Sequence, residues 1–288
     1  MSIDKMDVIL KPSREESNVM NGVQEVLAHE IGLNIETVQQ AIENLTTGQS
    51  AFIGVSGKIG SGKDTVAPIL MKILTNNVQQ VEIVQEYFAK PLKMEVQQVI
   101  DIIREEIARN EEVEWAYPIA VKNVSIAMGI DEQDAEYVVE TLFHDIADDE
   151  EENIHSYNKV HSVRTVLQYW GTEVRRKQDD NYWVNKAIKA VYEHIANGRS
   201  VYVSDVRFPN EADAIKEFLG NVIRLDVSDE EQSRRILARD NVEVTEMARQ
   251  HSSEVALDSY EKFNARILTD GFSPAEVAEK LANELLSA

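Results

Sequence analysis

The strongest constraint on this chain's fold is a change of texture across residues 51–74. AFIGVSG is a short apolar run closed by glycine, GKIGSGK is glycine-rich, and DTVAPILMKIL carries apolar residues at helical spacing. An apolar run without polar alternation suits a strand buried on both faces, as in a parallel sheet. Gly57 and Gly62 frame the pattern G-x-x-x-x-G-K, which Lys63 completes. Glycines let a backbone wrap closely enough for its N–H groups to converge on a phosphate oxygen. The N-terminus of the following helix adds partial positive charge, and a lysine there can reach the outer phosphates. The alternative, a glycine-rich turn with an incidental lysine, leaves the strand before it and the helix after it unexplained.

Gly57, Lys58, Gly60, Ser61, Gly62, Lys63, Asp64 and Thr65 are therefore candidates to hold the phosphates of ATP. The position after the lysine is commonly Ser or Thr, which binds Mg²⁺. Here it is Asp64, followed by Thr65, and the sequence leaves open which of the two meets the metal. Mg²⁺ is expected with a triphosphate because it bridges the β- and γ-oxygens.

Around this loop the pattern alternates. VEIVQEYFA, RSVYVSDVRF, NVIRLDV and ARILTDG read as strands. PLKMEVQQVIDIIREEIARN, SVRTVLQYWGTEVRR, DNYWVNKAIKAVYEHIANG, NEADAIKEFLG, DEEQSRRILARD and SPAEVAEKLANELL read as helices. Such alternation predicts an α/β fold of three layers, with helices on both faces of a mostly parallel sheet. Residues 17–47 read as two helices, one with Val19, Val23, Val26 and Leu27 on a shared face, the other capped by Asn34 with Ile35, Val38, Ile42 and Leu45 inward. We expect residues 1–48 to form a docked helical extension and 49–288 the main domain. Within the latter, about 100–160 would be a helical, acidic insertion and acceptor side, and about 229–256 a lid-like segment.

Charge decides what the chain does not bind. Lys and Arg number 29 against 51 Asp and Glu, a net charge of −22. Nucleic-acid polymers need a basic footprint, so none is expected as a partner. The same acidity opposes a DNA-binding reading of the helix–turn–helix outline in AHEIGLNIETVQQAIENL. Residues 123–158 contain no Lys or Arg and eleven Asp or Glu. Such a run is ordinarily solvated surface rather than a cation site, although Val138, Val139, Leu142 and Phe143 predict a helix in its first half, leaving DDEEEN loose. There are no cysteines, which removes disulfides and thiolate chemistry. No stretch has the length and hydropathy of a membrane span, and no secretory leader is evident, so a cytoplasmic location is expected.

Two further constellations complement the loop. VYVSDVRF delivers Asp205 and Arg207 at the end of an apolar strand, where ligands bind in parallel α/β sheets. Asp205 is placed to hold the water shell of Mg²⁺, and Arg207 to grip a phosphate. In SDEEQSRRILARDN, Arg235 and Arg239 stand four apart with Arg234 beside them, as a closing lid requires. The competing reading is a helix surface laced with Glu–Arg pairs. In SVRTVLQYWGTEVRRKQDDNYWV, Arg164 and Gln168 share a helix face, while Tyr169, Trp170, Tyr182 and Trp183 supply rings able to stack on a base. His251 has no partner at metal-ligand spacing and reads as a hydrogen-bonding histidine.

Taken together, GVSGKIGSGKDT, FAKPLK, SVRTVLQYWGTE followed by DDNYWV, VSDVRFPNEADAI, and HSSE with a late ILTDG resemble the phage-type deoxynucleoside monophosphate kinases over about residues 50–286. The resemblance implies a P-loop NTPase fold and transfer of the ATP γ-phosphoryl group to a (deoxy)nucleoside monophosphate, giving a diphosphate and ADP. It implies that Asp64 after the lysine is usual. Lys90, Arg164, Gln168, Gly171, Thr172, Arg176 and Trp183 would line the acceptor site, and Asp205 and Arg207 would face the reacting phosphates. Lys63, Arg164, Arg207 and Arg235 would carry catalysis, with Arg239 assisting ATP binding. The division of roles between Arg175 and Arg176 stays open, as does base preference. Related kinases often pair, so a homodimer is among the expected partners, and for a phage protein the cytoplasm is the host's. Two rival readings remain: another small-molecule P-loop kinase, and a nucleotide-dependent interaction module.

Overall fold

The computed structural model describes residues 24–76, 81–110, 112–149, 151–157, 160–241, 245, 249–250 and 252–287. The readings of Val19, Val23 and the His251 side chain lie outside the described residues. The helices are α1 (24–31), α2 (Ile35–Thr46), α3 (Lys63–Leu74), α4 (Lys90–Arg109), α5 (Val113–Met128), α6 (Glu132–Ala147), α7 (His161–Tyr169), α8 (Tyr182–Ala196), α9 (Pro209–Glu217), α10 (Asp229–Asp240) and α11 (Pro274–Leu285). A π-helical segment, Trp170–Arg176, continues α7, and a short turn of helix spans Ser252–Val255. The chain divides into two compact units, Met1–Phe88 with Val184–Ala288, and Ala89–Trp183.

The first unit is built on five strands, β1 (Phe52–Gly57), β2 (Ile83–Glu86), β3 (Ser200–Val206), β4 (Asn221–Asp226) and β5 (Ala265–Leu268), in the order β2-β3-β1-β4-β5. Every neighbouring pair is parallel. All six residues of β1 are buried, as its unbroken apolar run predicts. Strand residues feed two cores by alternation. Phe52, Val201, Val203 and Val222 pack with α2, α8 and α9. Ile53, Val55, Ile223 and Leu225 pack with α3 and α11. Val55, Leu70 and Leu281 are fully inaccessible, and burial of each such side chain contributes about 1.5–3 kcal/mol. The architecture is the three-layer α/β arrangement expected from the alternation of strands and helices.

The N-terminal helices dock as an extension of this unit. Asn34 caps α2, accepting from the Thr37 N–H at 2.8 Å. Asn44 is buried and donates to the Ile195 carbonyl at 2.7 Å, fastening α2 to the end of α8. Val38, Ile42 and Leu45 face inward as expected, but Val26 is exposed: the buried stripe of α1 runs through Leu27, Ala28 and Ile31 instead.

The second unit is helical, comprising α4 to α7, the π-helical segment and the first turn of α8. Its core includes Val96, Ile100, Ile103, Val124, Leu142, Val166 and Trp170. The acidic run largely resolves into α6, whose inner face is Ala135, Val138, Val139, Leu142, Phe143 and Ile146. Asp131 caps α6, and Asp131, Glu132 and Asp134 sit where the helix dipole favours negative charge. The expectation that DDEEEN is loose fails at Asp149. Its carboxylate accepts from the Ile154 N–H at 2.6 Å, the Asn153 N–H at 3.0 Å and Arg104 Nη2 at 3.2 Å. These bonds, the Ile154 one foremost, hold its pKa below the ordinary carboxylate value. Among the described residues no cluster of three or more His, Asp or Glu is arranged to hold a metal, and no helix is long and apolar enough to cross a membrane.

Candidate nucleotide site

The loop between β1 and α3 has the conformation its glycines permit. Gly60 and Gly62 have φ of 80° and 89°, a left-handed geometry that a side chain would strain. Gly57 has ordinary φ but no room: a Cβ there would collide with the Ser61 side chain and the Leu225 carbonyl. No side chain caps α3 at Gly62, so the first amides of the helix face the loop without a side-chain acceptor. Ser61 Oγ is buried without a hydrogen-bond partner, an unspent polar atom beneath the loop.

Charged groups converge on this loop from the C-terminal edge of the sheet. Burial, and then the nearby Arg207 guanidinium, push the Lys63 ammonium below the ordinary lysine value of 10.5, while Asp64, Glu254 and Asp205 act in the opposite sense. Asp205, at the end of β3, accepts from the Phe88 N–H at 2.8 Å, so its carboxylate is fixed. Asp64 is exposed on the first turn of α3. The phenol of Tyr87 is raised by partial burial and by the negative charges of Asp64, Asp205 and Glu86, so both proposed metal carboxylates act on one space. Two carboxylates suit Mg²⁺, which takes one or two from the protein and the remainder from phosphates and water. Thr65 is likewise exposed on the first turn of α3.

The segment that follows β4 closes over the loop. Gln232 Nε2 donates to the Ile59 carbonyl at 2.8 Å, and Arg235 Nη1 to the Gly60 carbonyl at 3.1 Å. Arg235 also binds Thr269 Oγ1 and the Thr269 carbonyl, at 3.0 and 3.1 Å. Beside it, Ser61, Gly62, Thr65, Arg235, Thr269 and Phe272 line a cleft of about 290 Å³. The two readings of α10 overlap at Arg235. Arg234 is exposed and pairs with Glu231, while Arg235 pairs with the same carboxylate at 2.8 Å and also turns to the loop. Arg239 is exposed on the last turn of α10. Lys58 directs its ammonium to Asp258 at 3.1 Å, leaving only its backbone for the phosphates.

Sequence reasoning missed several groups here. Glu254 accepts from the Ile59 N–H at 2.7 Å through one oxygen and pairs with Arg207 Nη1 through the other. Arg224, buried in β4, binds Ser56 Oγ at 2.9 Å and Asp258 at 2.7 Å. A charged residue inside the apolar run NVIRLDV was the available signal for Arg224, and HSSE for Glu254.

Residues 77–246, more than half of the chain, match the sequence profile of the deoxynucleotide monophosphate kinase family. The chain belongs to that family. The match begins after the glycine-rich loop, so the loop and the family assignment are separate observations. No curated protein matched the chain.

The residues this kinase family led us to expect on the acceptor side lie in the helical unit. Arg164, Gln168 and Thr172 are exposed along α7 and the start of the π-helical segment, with Thr172 Oγ1 bonded to the Gln168 carbonyl at 2.8 Å. Lys90 is exposed at the start of α4. Gly171 is buried, and a Cβ there would press on Leu92. The four expected stacking rings are otherwise engaged. Trp170 is fully inaccessible, and Trp183 is 3% exposed with its indole N–H on the Gly171 carbonyl at 3.1 Å. Tyr182 donates to Glu95 at 2.6 Å, and Tyr169 to Asp134 at 2.6 Å. Trp183 thus supports the backbone at Gly171.

The two arginines left undivided by sequence also separate. Arg175 is buried, bonding Glu95 at 2.9 Å and the Met128 carbonyl at 2.8 Å, with its guanidinium over the Trp170 and Tyr182 rings. Arg176 stays half-exposed. Arg175 is core, and Arg176 is the more accessible of the two.

Proposed function

We propose that this kinase transfers the γ-phosphoryl group of ATP to the 5′-phosphate of a deoxynucleoside monophosphate, releasing ADP and the deoxynucleoside diphosphate. The observation that carries the reading is the convergence of Lys63, Arg207, Asp64 and Asp205 on a left-handed glycine loop at a helix N-terminus, in a chain of this family. The backbone N–H groups of Gly60, Gly62 and Lys63 would cradle the β-phosphate, the Ser61 N–H being held by the Lys58 carbonyl at 3.0 Å. Lys63 and Arg207 would neutralise charge on the transferring group. The cleft beside Arg235, Thr269 and Phe272 has the volume and lining for the donor's nucleoside.

Asp64 and Asp205, with Thr65 as the alternative to Asp64, are the residues that would hold Mg²⁺. When bound, the ion supplies charge neutralisation between the β- and γ-oxygens. The acceptor's nucleophile is an oxygen of an ionised phosphate, so no strong general base is needed, and positioning does most of the work. Arg164 and Arg176 would grip that phosphate, and Gln168 would read a base edge.

The test is ADP release measured against a panel of ribo- and deoxyribonucleoside monophosphates. We expect turnover with one or more deoxynucleotides and little without an acceptor. Slow hydrolysis indifferent to every acceptor would refute the proposal.

A further inference from the structure

Resting on the donor-site reading above, we infer that Glu254 is a positioning residue: a carboxylate that holds both Arg207 and the glycine loop in place for phosphoryl transfer. Three observations support this. Glu254 is 8% exposed, so its charge is shielded from water and its interactions are strengthened. One oxygen accepts from the Ile59 N–H at 2.7 Å, across 195 residues of sequence. The other pairs with Arg207 Nη1, and the field of Glu254 extends to Lys63. One side chain therefore spans the loop and the guanidinium.

The rest of the loop's rim is tied to the same stretch of chain. Ile59 has its N–H on Glu254 and its carbonyl on Gln232. Gln232 in turn accepts from Arg249 at 2.5 Å, and Arg249 also binds Asp229 at 2.8 Å. Lys58 pairs with Asp258. With both its backbone polar groups held, Ile59 is clamped, and Arg207 shares the clamp. A guanidinium on a flexible side chain loses much of its value in a transition state unless its orientation is set beforehand, and Glu254 contributes to setting it.

A second physical reading of the same contacts exists: the carboxylate could stand in for a phosphate and be displaced by ATP. The two readings give opposite signs on binding. The experiment uses the full chain as wild type, Glu254→Gln, Glu254→Ala, Arg207→Ala and the Glu254→Ala/Arg207→Ala double variant. Steady-state transfer is measured, together with calorimetric dissociation constants for ADP and for adenylyl imidodiphosphate. Thermal midpoints identify any variant that fails to fold, and the isosteric Gln variant covers that case.

We expect Glu254→Ala to lower kcat about 10²-fold, the order seen when one transition-state donor is lost, while KM for ATP moves less than about fivefold. Gln should restore part of kcat, since it can still accept from the Ile59 N–H. In the Arg207→Ala background, removing Glu254 should cost clearly less, the remainder being the share that acts through the loop. The preference for the triphosphate analogue over ADP should fall. The inference is overturned by unchanged kcat, by equal losses in both Arg207 backgrounds, or by tighter analogue binding in Glu254→Ala. A wild-type chain that binds the analogue but phosphorylates no deoxynucleotide would refute the kinase reading alone, and the shared dependence of triphosphate preference on Glu254 and Arg207 would still decide this one.

Discussion

Each unit contains a glutamate–arginine pair, and the two pairs do different work. In the helical unit, Glu95 gathers Trp170, Tyr182 and Arg175, and Arg175 spends a further donor on the Met128 carbonyl. Both partners are buried, and the pair is satisfied by fixed protein groups. In the sheet unit, Arg207 keeps 30% side-chain exposure, its partner Glu254 leans on a loop amide, and the neighbouring Lys63 pays a desolvation cost in its pKa. A charge pair enclosed by matching donors stabilises a fold. A pair left partly exposed beside a second cation leaves room for a ligand to compete for the guanidinium. Perturbed lysines in such settings are functional candidates for the same reason.

The comparison breaks most sharply at Lys63. Lys63→Ala should reduce phosphoryl transfer by about 10³-fold or more with an unchanged circular dichroism spectrum and thermal midpoint. Retained turnover would show that the loop is not the donor site. Glu95→Ala should do the opposite. Removing one partner of a buried pair costs about 3–5 kcal/mol, so thermal or urea unfolding should reveal a large loss of stability, whatever happens to the turnover of protein that remains folded.

Smaller effects sharpen the contrast. Arg164→Ala, on the exposed face of α7, should raise KM for the monophosphate about tenfold, the value of one charge-assisted contact, and leave the midpoint alone. On the alkaline side, kcat/KM for ATP should decline at a pH below the ordinary lysine value of 10.5. The charged form of Lys63 is present below its lowered pKa and lost as pH rises through it, so a decline only above 10.5 would contradict the burial of that ammonium. Arg235→Ala, which removes contacts with the Gly60 and Thr269 carbonyls, should weaken ATP binding. Smallest of all, Lys262→Ala should leave both activity and midpoint unmoved, because its pair with Asp213 is surface-exposed.

Much of the sheet unit was legible because its strands are buried on both faces and so read as continuous apolar runs, as β1 shows. The loop was legible because its chemistry depends on backbone, and glycine identity reports backbone directly. Helix α5 was not anticipated. Pro118 lies inside it, and both Trp115 and Ile126 on its surface are exposed, which blurs the apolar stripe that announces a helix. Trp170 and Trp183 were misjudged for another reason: a ring's composition is the same whether it packs or recognises, and only the partners of its N–H distinguish the two. Glu254 could not be assigned from sequence, because its value depends on an amide and a guanidinium far along the chain.

The π-helical segment carries a consequence for how this protein can vary. Over Trp170–Arg176 the backbone winds wider than an α-helix, with the Lys177 N–H reaching back to the Thr172 carbonyl at 3.1 Å. That extra breadth lets Arg175 point into the core while Arg176 stays half-exposed. Each α-helical residue turns about 100° and each π-helical residue less, so deleting one residue there would restore ordinary winding with the chain on either side nearly in phase. What would be lost is the separation of Arg175 from Arg176, so the extra residue serves the placement of two adjacent arginines and not the course of the helix.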